Sequence, residues 1–272
     1  MNIDCDDNEP IISINNPENL VILKRPSSLC KSPYVADAEG IEGLLHTPSL
    51  GCFGLVEKGS SVICSKKENT KGKCKYLVEL GYDKISNTYI SANPLLANKI
   101  VEILLKKKLI NFNLNYQEVF SEKKIGNSRF DFILGRDMKH VVEVKAVPIA
   151  LFENLPIKEY NKKQYPDVNY NQKIGVFPVG YKKNKNSPIS ERAIKHLVEL
   201  GRLISDNIIN TGCCLFVVGR NDVSSFSPSK EDPYYCKAIN EAVAKGVQIK
   251  AIKIEWIKNS AYYRGEIPVV LD

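Results

Sequence analysis

The sequence lacks several features that would identify a metal-stapled, membrane or exported protein. Its eight cysteines include no Cys-x-x-Cys pair, and only three histidines could complete a zinc set. No apolar run reaches the roughly 18 residues that cross a membrane. The first ten residues, MNIDCDDNEP, are acidic where a secretory signal is basic and then apolar. We therefore expect no structural zinc, no membrane association, and an intracellular protein, cytoplasmic or nuclear, whose cysteines are mostly small buried hydrophobic residues.

Positive charge is in excess. The 38 Lys and Arg residues outnumber the 31 Asp and Glu residues and give a formal net charge of +7. Cationic side chains that neutralise phosphates release counterions, so a nucleic acid is a reasonable partner. The chain is also rich in Asn, Lys and Ile together, which compositional drift produces without any partner. The positions of the charges are therefore more informative than their sum.

The residue pattern favours two domains in the 272 residues. Residues 1–18 are polar, acidic and without periodicity, which predicts a flexible tail. Residues 19–92 alternate in short segments separated by Gly, Pro, Ser and Asn at intervals of roughly ten residues, which predicts a small antiparallel barrel or sandwich. Residues 93–272 predict an α/β domain.

Helical and strand patterns alternate within this second part. NPLLANKIVEILLKKKLI, SERAIKHLVELGRLI and DPYYCKAINEAVAKG have helical periodicity. TGCCLFVVGR is typical of a fully buried strand, and VQIKAIKIEW of an alternating one. Residues 153–187 are rich in Lys, Asn, Tyr and Pro, which predicts a long surface loop.

The segment RFDFILGRDMKHVVEVKAV, residues 129–147, predicts a hairpin that carries charges where apolar residues are expected. If residues 135–139 form the turn, Leu134 lies opposite His140, and counting outward makes Asp131 the cross-strand neighbour of Glu143. Strand alternation places Glu143 and Lys145 on one face, and it places Phe130, Phe132 and Leu134 together on one face of the other strand.

Two facing carboxylates need a cation or a shared proton to coexist. Mg²⁺ binds one or two carboxylates together with water and phosphate oxygens, and a neighbouring ammonium such as Lys145 can orient water or stabilise charge on a phosphate. The pattern therefore favours phosphodiester hydrolysis with Asp131 and Glu143 as metal ligands and Mg²⁺ or Mn²⁺ as the cofactor. The alternative is an ordinary set of charges on an exposed hairpin face, because so short a motif has many chance matches.

Two further groups of cations are candidate phosphate contacts. Lys71, Lys73 and Lys75 alternate in NTKGKCKYL, with Tyr76 nearby for stacking, although a solvated lysine-rich edge is the alternative. In the SERAIKHLVEL helix a polar stripe is predicted opposite the apolar one, and a plain solvated face is again the alternative. The stripe consists of Arg192, Lys195, His196 and Glu199.

Several ordered motifs resemble the sugar fermentation stimulation protein A family, over about residues 20 to 257. They are HTPSLG (46–51), NTKGKCKYLVEL (69–80), NPLLANKIV (93–101), SRFDFIL (128–134), VEVKAV (142–147), SERAIKHLVEL (190–200) and FSPSKEDPYYCKAINEAVAKGV (226–247). The resemblance implies an OB-like small β-barrel over 19–92, followed by a PD-(D/E)xK nuclease-like α/β domain over 93–272.

The resemblance also implies functional residues. Asp131, Glu143 and Lys145 match the nuclease triad, and Glu118 is a possible accessory metal ligand. DNA is the implied partner, and Lys195 and His196 are expected near the nuclease cleft, where they could bind phosphate. Arg129 and Arg192 are further candidate nucleic-acid contacts. The oligomeric state stays open, with a homodimer as one option. A non-enzymatic DNA-binding regulator that retains the nuclease fold is the alternative function.

One motif departs from the family. The Phe-Pro-Asp stretch is represented by VFPVG, which keeps Phe177 and Pro178 but lacks the Asp, although Asp167 in the upstream YPDV could replace it. This change could alter the substrate of the site or remove its catalytic activity.

Overall fold

The computed structural model describes residues 9–49, 51–68, 72–152, 173–184 and 186–271. The strands in the first half are β1 (Ile12–Ser13), β2 (Pro17–Lys24), β3 (Val35–Ala38), β4 (Leu44–His46), β5 (Ser61–Lys66), β6 (Cys74–Asp83), β7 (Thr88–Ser91), β8 (Val119–Ile125) and β9 (Ser128–Leu134). Those that follow are β10 (His140–Val147), β11 (Ala150–Leu151), β12 (Lys173–Phe177), β13 (Thr211–Val218), β14 (Val223–Pro228), β15 (Gln248–Ile257) and β16 (Ser260–Ile267). The helices are α1 (Leu95–Lys106), α2 (Glu191–Ser205) and α3 (Pro233–Ala244), with a 3₁₀ turn at Gly51–Gly54.

Strands β2 to β6 close into a five-stranded barrel. β2 pairs with β3 and β5, β3 pairs with β4, and β5 pairs with β6. A parallel pairing of β4 with β6 closes the ring, and β7 adds to the other edge of β6. Alternate residues such as Ile22, Leu45 and Val78 fill the interior. The predicted OB-like barrel is confirmed.

The α/β part is built on a seven-stranded sheet in the order β1-β16-β15-β13-β10-β9-β8. β10, β13 and β15 are parallel neighbours, and their apolar residues are buried on both faces, as expected for central parallel strands. α1 packs on one face, while α2 and α3 pack on the other. The predicted α/β layer is confirmed.

The three helices of the described residues form where their periodicity predicts them. In α1 the residues Leu96, Ile100 and Leu104 are buried on one stripe. α2 begins after Ser190, whose side chain accepts a hydrogen bond from Ala193 N, and α3 begins after Asp232, whose side chain caps Tyr235 N. Across the described ranges, none of the helices combines the length and apolar character that crossing a bilayer requires.

The predicted flexible tail does not hold for residues 11–14. Ile11 N donates to Ala261 O at 2.7 Å, Ile14 N donates to Asn259 O at 2.8 Å, and β1 adds to the edge of β16. Ile11 and Ile14 are buried in the same cluster as α1. Two isoleucines are too few to give a periodic signal, and their partner strand lies at the far end of the chain. Residues 1–8 lie outside the described ranges.

The predicted surface loop 153–187 also contains a strand. β12 pairs in parallel with β14 and antiparallel with β11, in a small three-stranded sheet. The polar Lys and Asn residues near β12 give no strand pattern. Its partner strand β14 is also distant in the sequence, so no local signal indicates the pairing. Residues 153–172 and 185 lie outside the described ranges.

A buried ionic cluster joins the barrel to the α/β part. Lys173 Nζ lies 2.7 Å from Asp222 Oδ2 and 3.4 Å from Asp83 Oδ2, and Arg220 Nη2 lies 2.9 Å from the same Asp83 oxygen. Arg220 Nε also lies 2.6 Å from Asp222 Oδ1. Asp83 ends barrel strand β6, while the other three residues belong to the α/β part. Two buried cations and two buried carboxylates therefore form ion pairs that connect the barrel to the α/β part.

Candidate functional site

The candidate site begins where strands β9 and β10 separate. Leu134 pairs with His140, Ile133 with Val141, and Phe132 with Val142, so the predicted register is confirmed. The ladder stops before Glu143, and the Asp131 side chain accepts the Val144 N–H at 2.8 Å. Counting residues outward from the turn therefore leads to the correct place for both carboxylates. The strands are joined there by the Asp131 side chain and not by a backbone pair between Asp131 and Glu143.

The alternation of β10 is confirmed by its packing. Val141 and Val147 lie in the cluster that contains α2 and α3, whereas Val142 and Val144 lie in the cluster that contains α1. Glu143 and Lys145 therefore share the face covered by α2.

The predicted common face of β9 is wrong at one residue. Phe130 packs beside His196, with ring centroids 5.9 Å apart, whereas Phe132 and Leu134 pack on the α1 side. The β8–β9 ladder is interrupted at Glu122, which has a φ of 55° and lies opposite Asp131 in the register. The interruption leaves the register unchanged and lies beside the point where Phe132 and Phe130 turn to opposite sides of the sheet.

Glu143 is buried, with 3% of its surface exposed, and its two oxygens have different surroundings. Oε1 is bonded to both Lys145 Nζ and His196 Nδ1. Oε2 has no hydrogen-bond partner among the described residues. Burial by itself would raise the pKa of Glu143, but the hydrogen bond from His196 and the charge of Lys145 lower it below its usual value. Glu143 is thus an ionised carboxylate with one oxygen still able to accept.

Asp131 is held by two hydrogen bonds. Asn98 Nδ2 on α1 donates to Oδ1 at 2.8 Å, and Val144 N donates to Oδ2. Burial and the nearby charge of Glu143 nevertheless raise the pKa of Asp131. The two carboxylates therefore repel each other, and a cation bound between them would relieve that repulsion.

The carboxylates lie in a cleft of about 930 Å³ between the barrel and the α/β part. Barrel residues Tyr34 and Ser49 line one side, and residues 176, 177 and 179–182 line another. Asp131, Glu143 and Lys145 line its α/β wall. Residues of the barrel and of the α/β part therefore line the same cleft. Ligand sites commonly lie in such clefts between two parts of a protein.

The structure brings only some of the predicted residues into the cleft. Arg192 is exposed and lines it, and His196 is buried against Glu143. Lys195 is exposed on α2 but is absent from the cleft lining. The predicted polar stripe is wrong at Glu199, which is buried and accepts a bond from Asn127 N, whereas Val198 on the same helix is 47% exposed.

Glu118 is placed apart from the carboxylate pair. Its carboxylate lies 2.8 Å from Arg136, and its backbone oxygen accepts a bond from Gly135 N. That position is at the turn end of the hairpin, whereas Asp131 lies opposite Glu122. Among the described residues, no three His, Cys, Asp or Glu side chains form a ligand cluster, so a metal would have two carboxylates.

The remaining predicted residues that the structure describes do not line the cleft. Lys71 and Asp167 are outside the described ranges. Lys73 is exposed, while Lys75 is partly buried and its side chain packs against Gly43, where an added Cβ would lie 2.6 Å from Lys75 Cγ. Tyr76 is buried in the barrel and therefore presents no ring for stacking. Arg129 is exposed, 3.7 Å from Glu122.

Sequence reasoning gives one contributor to the site a different role and misses another. It predicts His196 as a phosphate contact, but the His196 ring holds Glu143, and it does not single out Asn98, which orients Asp131. The sequence feature that could have indicated Asn98 is its position, because it is a polar residue between the buried Ala97 and Val101 of an amphipathic helix.

Comparisons with known proteins identify the family. The model of the sugar fermentation stimulation protein RE domain matches residues 95–168 and 187–260. A sugar fermentation stimulation protein homolog from Carboxydothermus hydrogenoformans is 27% identical over 253 residues, which are 90% of this chain and 96% of that protein. One from Crocosphaera subtropica is 30% identical over 244 residues, with 85% and 88% covered.

A solved structure has the same fold. The structure of Pyrococcus furiosus SfsA in complex with Ca²⁺ has a TM-score of 0.73, with 20% sequence identity, and the match covers 96% of this chain and 99% of that one. The family model spans more than half of the chain, and the curated relatives match nearly their whole length. This chain belongs to the sugar fermentation stimulation protein family.

Proposed function

We propose that this protein is a divalent-metal-dependent nuclease that hydrolyses phosphodiester bonds, with DNA as the substrate. The observation that carries the proposal is Glu143, a buried and ionised carboxylate whose Oε2 has no partner among the described residues and which lies beside Asp131. A buried acceptor without a partner costs about 1–3 kcal/mol, and more when it is charged. A bound cation would remove that cost.

The residues present fit Mg²⁺ or Mn²⁺. Both candidate ligands are carboxylates, and hard cations prefer oxygen ligands. Mg²⁺ commonly uses one or two carboxylates and completes its coordination with water and substrate phosphate oxygens, so two protein ligands are sufficient. The Pyrococcus furiosus SfsA structure is a complex with Ca²⁺, which supports a site for divalent cations in this fold.

Asp131 and Glu143 would hold the metal, which when bound supplies an activated water molecule and neutralises charge on the phosphate. Asn98 and the Val144 N–H fix the orientation of Asp131. His196 and Lys145 fix Glu143 Oε1, so that Oε2 stays available. A phosphate that displaced the Glu143 contact could take a hydrogen bond from Lys145, whose ammonium group would stabilise the charge that develops during hydrolysis.

The cations outside the carboxylate pair would bind phosphates. Arg192 lines the cleft, and Lys73, Arg129 and Lys195 are exposed beyond it. We include Lys71 in this group on its sequence position alone. Such contacts position a nucleic acid without reading its sequence. An intracellular location fits this substrate, as do the free thiols of the cysteines that the structure describes.

A non-enzymatic DNA-binding regulator is the second candidate function. The observation that favours it is the segment after Phe177 and Pro178, which lines the cleft with Val179 and contributes no carboxylate there. A site with only two carboxylates could retain binding after catalysis has been lost.

Cleavage assays separate the two functions. Purified protein would be incubated with supercoiled plasmid, single-stranded DNA and RNA in Mg²⁺, Mn²⁺ or chelator. We expect metal-dependent cleavage that Asp131→Asn, Glu143→Gln and Lys145→Ala each abolish. Glu241→Gln, on the exposed part of α3, is the matched carboxylate control and should cleave normally. Salt-sensitive binding of DNA without cleavage by the unmodified protein would reject the nuclease and support the regulator.

A further inference from the structure

We infer that the cleft accepts a single strand of nucleic acid, with an unpaired base stacked on Tyr181, and does not accept an intact duplex. The inference rests on the proposed function and concerns the class of substrate. It follows from the chemistry of the cleft walls, from their exposed aromatic rings, and from the way the two walls are held.

The walls beside the carboxylates are largely apolar, and both parts of the chain contribute to them. The apolar lining includes Pro48, Cys52, Leu95, Ile149, Val176 and Val179. Surfaces that bind duplex DNA are polar and strongly positive, because they face two phosphate backbones. An apolar wall instead suits the face of a base that has left its stack.

Few cations are available among the described residues that line the cleft. Lys145 is bonded to Glu143, and Lys182 Nζ donates to Glu231 O at 2.6 Å. Arg192 has no hydrogen-bond or ion-pair partner among the described residues, so it is the cation best placed to receive a phosphate. Within the described lining of the cleft, one guanidinium without a partner and a metal suit a single phosphate backbone better than the two of a duplex.

Two tyrosines line the cleft with exposed rings. Tyr181, in the segment after β12, is 82% exposed, and Tyr34, before barrel strand β3, is 41% exposed. An exposed ring loses water-accessible apolar area when a base stacks on it, and every base has a face that can do so. Tyrosines beside a single-strand path are thus a sequence-tolerant means of holding unpaired bases.

The two walls of the cleft are held together by buried contacts. Ile149 and Leu151 of the α/β part are buried in the barrel core. The ionic cluster of Asp83, Lys173, Arg220 and Asp222 joins the same two parts. Because these contacts tie the two walls together, the cleft cannot widen by separating its walls, and we expect a single strand to reach Asp131 and Glu143 more readily than a paired duplex.

The test compares binding and cleavage on matched substrates. A fluorescein-labelled single-stranded oligonucleotide and its blunt duplex would be titrated with the protein in Mg²⁺ and in chelator, and fluorescence anisotropy would report the affinities. We expect the single strand to bind at least about 10-fold more tightly than the duplex in Mg²⁺. Tyr181→Ala should lose about 10-fold in single-strand affinity, in line with the loss of one stacked base, while Tyr181→Phe keeps it.

Tyr234→Ala is the control, because Tyr234 is also exposed, at 47%, but belongs to α3 and does not line the cleft. Its single-strand affinity should equal that of the parent. Equal affinities for single strand and duplex, or an unchanged affinity in Tyr181→Ala, would overturn the inference. Cleavage of the same oligonucleotides tests the nuclease separately: tight single-strand binding without cleavage rejects the nuclease only, and equal cleavage of both substrates rejects the single-strand inference only.

Discussion

The two carboxylate oxygens of Glu143 have different roles: Oε1 is fixed by hydrogen bonds, and Oε2 can still accept a hydrogen bond or bind a cation. Lys145 and His196 both bind Oε1, so the carboxylate is fixed and ionised although it is almost fully buried. Oε2 has no partner among the described residues. In metal sites, groups that orient the ligands commonly determine affinity as much as the ligands do. We therefore assign His196 to the positioning of Glu143 and not to phosphate contact.

His196→Ala should weaken metal binding. Without the ring, Glu143 Oε1 loses one of its two donors, and the carboxylate can rotate away from the productive orientation. We expect roughly 10- to 100-fold weaker Mn²⁺ binding by isothermal titration calorimetry. Glu191→Gln, an exposed residue on the same helix, is the control and should bind normally. An unchanged Mn²⁺ affinity in a folded His196→Ala protein would contradict this role.

The helices and the hairpin show which elements the sequence predicts well. The register of β9 with β10 follows from alternation and from a short turn, and the helices follow from local periodicity. β1 and β12 were not predicted, because each pairs with a segment far away in the chain. The reversal at Phe130 does not follow from strand alternation either, and it coincides with a ladder irregularity at Glu122 in the neighbouring strand.

The starts of α2 and α3 are linked through one buried carboxylate. Asp232 Oδ1 accepts from Tyr235 N at 3.2 Å, while Oδ2 accepts from Ile189 N at 2.7 Å, just before α2. This residue thereby caps one helix and positions the start of the other, which carries His196 toward Glu143.

Asp232→Ala should destabilise the fold by about 2–3 kcal/mol, because a cap and a second hydrogen bond from a buried carboxylate are lost together. Ser190→Ala, which removes a single cap bond at the start of α2, should cost about 1 kcal/mol. Urea unfolding followed by circular dichroism measures both changes. Equal losses in the two variants would show that the Ile189 bond contributes nothing.

The molecule as a whole depends on the ionic cluster that joins the barrel to the α/β part. The site could not be derived from either part alone, since the cleft has residues of both as its walls. No pattern in the sequence indicates the cluster, because Asp83, Lys173 and the Arg220–Asp222 pair are far apart in the chain and Lys173 lies in a segment predicted as loop.

Removing one charge from the cluster should be costly. Arg220→Ala leaves Asp83 and Asp222 buried with Lys173 as their remaining cation in the cluster. We expect a loss of about 3–5 kcal/mol in the free energy of unfolding. Arg136→Ala, at an exposed ion-pair residue, is the control and should leave the free energy of unfolding nearly unchanged. A loss from Arg220→Ala as small as that control would show that the cluster does not join the two parts.

Acid should also weaken the cluster. Burial would raise the pKa of Asp222, but hydrogen bonds and charges from Arg220 and Lys173 lower it to about 2. An aspartate in the unfolded chain has a pKa of about 3.9, so the stabilisation is complete above that pH and is lost as the pH falls through about 2. We expect protonation of Asp222 to lower the free energy of unfolding by about 2–3 kcal/mol. Asp222→Asn should show a shallower decline in unfolding free energy between pH 4 and 2, whereas an identical decline would contradict the assignment.

The most direct test of the central claim is to locate the metal. Crystals grown with Mn²⁺ would give an anomalous difference map. We predict one peak within about 2.0–2.3 Å of Glu143 Oε2 and of an Asp131 oxygen, and none in crystals of Glu143→Gln. The absence of a peak between these two carboxylates at saturating Mn²⁺, or an unchanged peak in Glu143→Gln, would contradict the account.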